Sequence, residues 1–153
     1  MELELTAGAE AAAGLGRLKA LAANRDGRAR SQTVKIVWHD SPEHALLADG
    51  LALSEQRGLW RLERAVPGPD TWLPAQPPPV VTEAPDLATL PSPLAPLAAF
   101  EGRRTSSVHR FGEDGVTLTI ERGVLRAVTA EQPVARILLS GEEAAFRPRD
   151  PAP

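Results

Sequence analysis

The sequence predicts an α+β domain that is mainly antiparallel β. About eight strands close, or nearly close, into a tunnel-like barrel behind one long N-terminal helix, with short helices elsewhere. Three observations carry this expectation. Short segments alternate apolar and polar residues, as in Val116-Thr117-Leu118-Thr119-Ile120-Glu121, the period-two mark of a strand with two different faces. Brief Gly-containing turns separate several of these segments, which implies hairpins and antiparallel pairing. The chain has 153 residues, of which 42% are hydrophobic, enough for one domain with a real core and hardly enough for two.

Residues 2–6 read as a short strand, with Glu2 and Glu4 on one face and Leu3 and Leu5 on the other. A helix is expected over residues 8–23, with Leu15, Leu18, Leu21 and Ala22 as its apolar stripe and Asn24 or Gly27 at its end. Residues 31–39 form the next expected strand. Asp40-Ser41-Pro42-Glu43 then signals a short helix, capped by Ser41 and stopped at Gly50. Residues 51–56 and 59–64 make a hairpin around Arg57-Gly58.

Residues 66–85 hold seven prolines and read as a polyproline-like loop, because proline withholds a backbone donor and fixes φ. Trp72 and the run Pro77, Pro78, Pro79 are its candidate partner contacts. Residues 86–99 are expected to form short helical turns between prolines. Strands follow at 104–111, 116–121, 124–129 and 134–140, with turns at 112–115 and at Arg122-Gly123. The domain therefore spans residues 1–142, and residues 143–153 are expected to be a loose tail.

Composition narrows the function. The net charge of −3 argues against nucleic-acid binding, which normally needs a strongly basic surface. No cysteine is present, so disulfides, thiolate metal sites and a Cys nucleophile are excluded. No basic leader and no run of about 20 apolar residues is visible, so no membrane association is expected and a cytoplasmic location is. His39, His44 and His109 are widely spaced and share no metal-ligand pattern.

The order of the pieces resembles the CYTH superfamily of triphosphate-tunnel proteins. The chain opens Glu2-Leu3-Glu4-Leu5, and Val37-Trp38-His39-Asp40-Ser41-Pro42 is similar to the family's Tyr-Phe-Asp-Thr-Pro segment. Gly50-Leu51-Ala52-Leu53 matches Gly-Leu-Ala-Leu, and Trp60 falls where a tryptophan often follows. Ile120-Glu121-Arg122-Gly123-Val124-Leu125-Arg126-Ala127 resembles the Leu-Asp-Arg-Gly-Glu-Ile-Arg-Ala segment. The resemblance covers nearly the whole chain. It implies inorganic triphosphatase, thiamine triphosphatase or adenylyl cyclase chemistry in a tunnel where glutamates hold Mg²⁺ or Mn²⁺ and Lys and Arg hold phosphate.

Against that pattern the charged set is incomplete. Glu2 and Glu4 match the metal-binding pair of the family's Glu-x-Glu-x-Lys opening, but Thr6 stands in place of the lysine, and a hydroxyl supplies no counter-charge to phosphate. Ser54-Glu55-Gln56 occupies the place of an Arg-x-Arg. The segment Ala135-Arg136-Ile137-Leu138-Leu139-Ser140 lacks the alternating glutamates expected in a final strand. Candidate anion-binding residues are Lys35, Arg61, Arg64, Arg103, Arg104, Arg122 and Arg126. The expectation is a catalytically degenerate CYTH-like domain that binds another protein or serves as an accessory subunit. No cofactor is expected, Mg²⁺ or Mn²⁺ entering only if triphosphatase activity is retained. The alternatives are a divergent metal-dependent triphosphatase and a non-hydrolysing binder of a phosphorylated ligand or nucleotide.

Overall fold

The computed structural model describes residues 2–6, 9–15, 17–65 and 80–142. They form one curled, antiparallel, eight-stranded sheet, a half-barrel, with short helices. The strands are β1 (Glu2–Thr6), β2 (Arg25–Asp40), β3 (Leu51–Gln56), β4 (Leu59–Arg64), β5 (Val80–Glu83), β6 (Ala95–Phe111), β7 (Asp114–Ala127) and β8 (Glu131–Gly141). Their order across the sheet is β1-β8-β7-β6-β2-β3-β4-β5, which leaves β1 and β5 at its two ends.

The long N-terminal helix is not found. In its place stand α1 (Ala9–Leu15) and α2 (Lys19–Ala23). Gly14 lies in the last turn of α1, where glycine weakens a helix by about 1 kcal/mol relative to alanine. The Leu18 N–H bonds the Leu15 carbonyl at 3.1 Å, a tight turn that breaks the stripe and leaves Leu18 exposed. Asn24 ends α2 as expected, its side-chain amide donating to the Ala20 carbonyl at 2.7 Å. The third helix, α3 (Ala45–Ala48), is shorter than expected, and a 3₁₀ turn at Leu87–Thr89 follows Asp86.

Two further expectations change. No turn exists at Arg122-Gly123, because residues 116–121 and 124–127 belong to one continuous strand, β7. Gly123 lies directly opposite Gly102 on β6, and the strands approach so closely there that neither position has room for a side chain. The second change is at residues 80–83, which were expected in the proline-rich loop and form β5. That strand pairs on one side only, consistent with its proline-rich approach. Trp72, Pro77, Pro78 and Pro79 lie outside the described residues.

The hairpin at Arg57-Gly58 is as expected. Both residues have positive φ, +53° and +78°, the conformation that a two-residue turn between twisted strands requires. Strands β2, β6 and β7 are longer than their patterns indicate, at 16, 17 and 14 residues.

The helices lie on one face of the sheet. Ala12 packs with Leu118, Ala135 and Ile137, joined by Leu15, Leu21, Ile120 and Leu139. On the same face, at the other end of the strand order, Leu46, Leu53 and Leu62 form a second cluster with Leu51, Trp60, Leu87, Leu90 and Leu94. His109 is buried beneath α2. Its Nδ1–H donates to the Leu21 carbonyl at 2.8 Å, which leaves Nε2 to accept from the Ser107 hydroxyl at 2.8 Å.

Candidate functional site

Register fixes what shares the opposite, helix-free face, since directly paired antiparallel residues point the same way. Arg104, Glu121 and Arg136 stand side by side on β6, β7 and β8, with Gln32 of β2 and Thr6 of β1 at the ends of the row. The next row is Arg30, Ser106, Thr119, Leu138 and Glu4. Beyond it come Val108, Thr117, Ser140 and Glu2. The two glutamates of the opening motif thus take register positions opposite Leu138 and Ser140.

Glu121 is buried on this face, only 4% exposed. Arg104 holds it through Nε at 2.8 Å and Nη2 at 2.7 Å, and Arg136 Nη2 lies 3.7 Å from the same oxygen. A buried carboxylate needs such partners, because an isolated ion in an apolar interior is strongly disfavoured. In the adjacent row the Ser106 and Thr119 hydroxyls lie 3.0 Å apart, between Arg30 on β2 and the register position of Glu4 on β1.

The seven candidate anion-binding residues do not converge. Arg104 faces the row just described. Lys35, Arg103, Arg122 and Arg126 fall on the helix-bearing face by register and are exposed. Lys35 pairs with Glu101 at 3.3 Å. Arg126 bonds Glu131 at 2.9 Å and lies 3.4 Å from Glu101; the hydrogen bond to Glu131 is the main reason its pKa rises above the ordinary arginine value. Arg61 shares a face with the row but sits three strands from β6, 3.7 Å from Glu63 and 3.4 Å from Glu83. Arg64 is exposed on the other face. Glu2 is exposed at the end of the sheet. Among the described residues, no three His, Asp or Glu side chains come together as a metal site.

Two residues of the central cluster, Glu121 and Arg136, escaped selection from sequence. The signal was present in the Gly112-Glu113 turn. Phe111 opposite Asp114 fixes Arg104 opposite Glu121, provided that β7 is read through Gly123 as one strand.

Asp40, at the end of β2, does structural work. Its carboxylate accepts the N–H groups of Ser41 at 2.7 Å, Leu46 at 3.0 Å and Leu47 at 3.1 Å, while the Ser41 hydroxyl accepts from Ala45 at 3.2 Å. Burial alone would raise its pKa. The three backbone bonds, with His44 nearby, outweigh burial and hold it below the ordinary aspartate value. Beside it a pocket of about 260 Å³ has a mainly apolar lining that includes Trp38, Leu47, Leu51, Leu97 and Leu125, with His39 and Asp40 as its polar members.

No protein-family model and no curated protein sequence matches the chain. Solved structures do. A putative adenylyl cyclase from Hippeastrum, HpAC1, described as having a dominant triphosphatase activity, superposes with a TM-score of 0.54 at 12% identity, covering 91% of this chain and 79% of that one. A putative adenylate cyclase from Bacillus halodurans matches with a TM-score of 0.43 at 10% identity, over 93% of this chain and 79% of that one. The chain therefore shares its fold with the Hippeastrum protein, in agreement with the tunnel-type barrel that the resemblance to the CYTH superfamily implied. Among the described residues no helix is long and apolar enough to cross a membrane.

Proposed function

We propose that this domain is a CYTH-type scaffold that does not hydrolyse triphosphate and works by binding another protein, as an accessory subunit or assembly element. The observation that supports the reading is the chemistry of the helix-free face. Its buried carboxylate, Glu121, is held by Arg104 and Arg136; Ser106, Thr119, Leu138, Val108, Thr117 and Ser140 fill the rows beside it on β6, β7 and β8, and the charged Arg30, Asp26, Glu4 and Glu2 take register positions only on the flanking strands β2 and β1. Hydrolysis of a triphosphate needs a carboxylate-held divalent cation together with a converging set of Lys and Arg. The proline-rich stretch with Trp72 adds a sequence feature suited to partner contact. One alternative draws on the same cluster. Its two arginines carry planar guanidinium donors of the kind that suit a phosphorylated ligand held without turnover.

Phosphate release from tripolyphosphate with Mg²⁺ or Mn²⁺ tests the first part. The expected result is release at the blank rate. Turnover that disappears in the Glu2→Ala, Glu4→Ala double variant would establish the metal-dependent triphosphatase instead. Purification from the native cell tests the second part, a stoichiometric co-eluting protein being expected and a strictly monomeric, partnerless protein being the contrary result. Thermal stabilisation by tripolyphosphate or nucleotides in the absence of turnover would favour the ligand-binding alternative.

A further inference from the structure

Strand β2 outruns its neighbour. It pairs with β6 along most of its 16 residues, but β3 meets it only at Val37, Trp38 and His39. The β3–β4 hairpin turns at Arg57-Gly58, so among the described residues nothing pairs with the other side of β2 before Val37. Every residue of β2 up to Thr33 is exposed, on both faces. A strand in that position presents a line of unsatisfied N–H and C=O groups, a template for one more strand.

The rim of this edge is basic. Arg25, Arg28, Arg30 and Lys35 lie along it, with Arg103 one strand in. Among the described residues no carboxylate pairs with Arg28, Arg30 or Arg103, while Asp26 is held by Arg110 and Glu101 by Lys35 and Arg126. Arginines and an irregularity between Asp26 and Arg30 also guard an edge against aggregation, since two such strands repel each other. That guard rules out a second copy of this chain as the added strand and leaves a negatively charged one favoured by the same field. Protection alone is more simply achieved by a short edge strand, whereas this one extends well past the end of β3.

We infer that the edge of β2 between Arg28 and Ile36 accepts an extended acidic segment of a partner protein as an added strand. The inference rests on the protein-binding reading above and specifies its partner. Backbone pairing gives the affinity, and carboxylates opposite Arg28 and Arg30 give the choice of partner. A nucleic acid satisfies the charge but not the row of backbone donors and acceptors, so polypeptide is the occupant that uses both features.

The test titrates the full chain with a synthetic peptide alternating Glu and Val, its counterpart with Lys for Glu, and a single-stranded oligonucleotide. Fluorescence anisotropy reads affinity, and amide hydrogen exchange reads location. The Glu peptide should bind and slow exchange within residues 28–36. The Arg28→Glu, Arg30→Glu variant alters two exposed side chains, so its unfolding curve should match the parent. It should weaken the Glu peptide by roughly tenfold and gain binding of the Lys peptide. The inference is overturned if the Glu peptide fails to bind, if exchange slows elsewhere, if the charge swap does not exchange the two preferences, or if the oligonucleotide binds the same arginines more tightly with no amide protection. A natural partner that co-purifies equally with parent and variant overturns the edge but leaves the protein-binding reading standing. Absence of any natural partner overturns that reading, while the peptide titration still decides what the edge can accept.

Discussion

The close approach of β6 and β7 at Gly102 and Gly123 makes a quantitative prediction. Substitution Gly123→Ala would place its methyl about 2.6 Å from the Gly102 Cα and 2.8 Å from the Glu101 carbonyl carbon, and closer still to the Glu101 oxygen. These neighbours are backbone atoms of a paired strand, so no side chain can swing aside. Overpacking usually costs about 1–3 kcal/mol, and a clash that must separate two strands belongs at the upper end, about 3 kcal/mol. For a chain of this size each kcal/mol lowers Tm by roughly 2–4 °C, so the expected fall is roughly 6–12 °C. Gly115→Ala, in the same strand, is the control. Nothing lies within 4 Å of the methyl it would add, and its change should stay within about 0.5 kcal/mol. Thermal and urea unfolding of both variants beside the parent measures the difference. Equal stability of Gly123→Ala and Gly115→Ala would refute the close approach, and with it the reading of β7 as one uninterrupted strand.

Glu121→Gln removes the charge between Arg104 and Arg136. Breaking a buried pair typically costs 3–5 kcal/mol, but these arginine side chains are 26% and 38% exposed, so about 2 kcal/mol is expected by urea unfolding, with added sulfate restoring more stability to the variant than to the parent. Asp40→Asn should cost about 1–2 kcal/mol at neutral pH through loss of the cap. Because the folded pKa of Asp40 is lowered, its contribution is present above the ordinary aspartate value and lost as pH falls through the folded value. Below about pH 4 the parent should therefore lose stability more steeply than the variant, and parallel acid-unfolding curves would count against the carboxylate as the cap. Leu53→Ala empties the centre of the cluster with Leu46 and Leu62, and because Leu53 is 0% exposed a loss of about 3 kcal/mol in equilibrium unfolding is expected; a loss below about 1 kcal/mol would mean that the site collapses freely.

What the sequence made legible was local. Arg57-Gly58 announces a tight hairpin because the turn demands positive φ at both positions. The alternation in residues 116–121 gives the two faces of β7 correctly, since Leu118 and Ile120 do face the helices. What stayed hidden depends on partners far along the chain. Gly123 reads as a turn residue until Gly102 is placed opposite it. The helix at the front carries Gly14 in its last turn, which a count of apolar spacing does not weigh. Arg104, Glu121 and Arg136 become neighbours only through register, so sequence reasoning kept Arg104, missed the other two, and grouped it with Lys35, Arg103, Arg122 and Arg126, which the pleat turns to the opposite side.

That same pleat separates the packing of the sheet from the chemistry of its helix-free face. Alternate residues of each strand answer to different demands. Leu118, Ile120, Ala135, Ile137 and Leu139 pack under α1 and hold the sheet together, and any of them replaced by a charge would lose a buried contact. Their neighbours Thr117, Thr119, Arg136, Leu138 and Ser140 face the other way and contribute little to that packing. Exchanging a glutamate for Leu138 or Ser140 leaves the helix-bearing core untouched, so stability places no requirement for metal-binding residues on the strand. Glu121, buried on that face, is held by two arginines in an internal ion cluster joining three strands. On β7 and β8 the residues that pack under α1 and the polar residues occupy opposite faces, so the two sets can be varied separately, and the helix-free face is where ligand binding is to be sought.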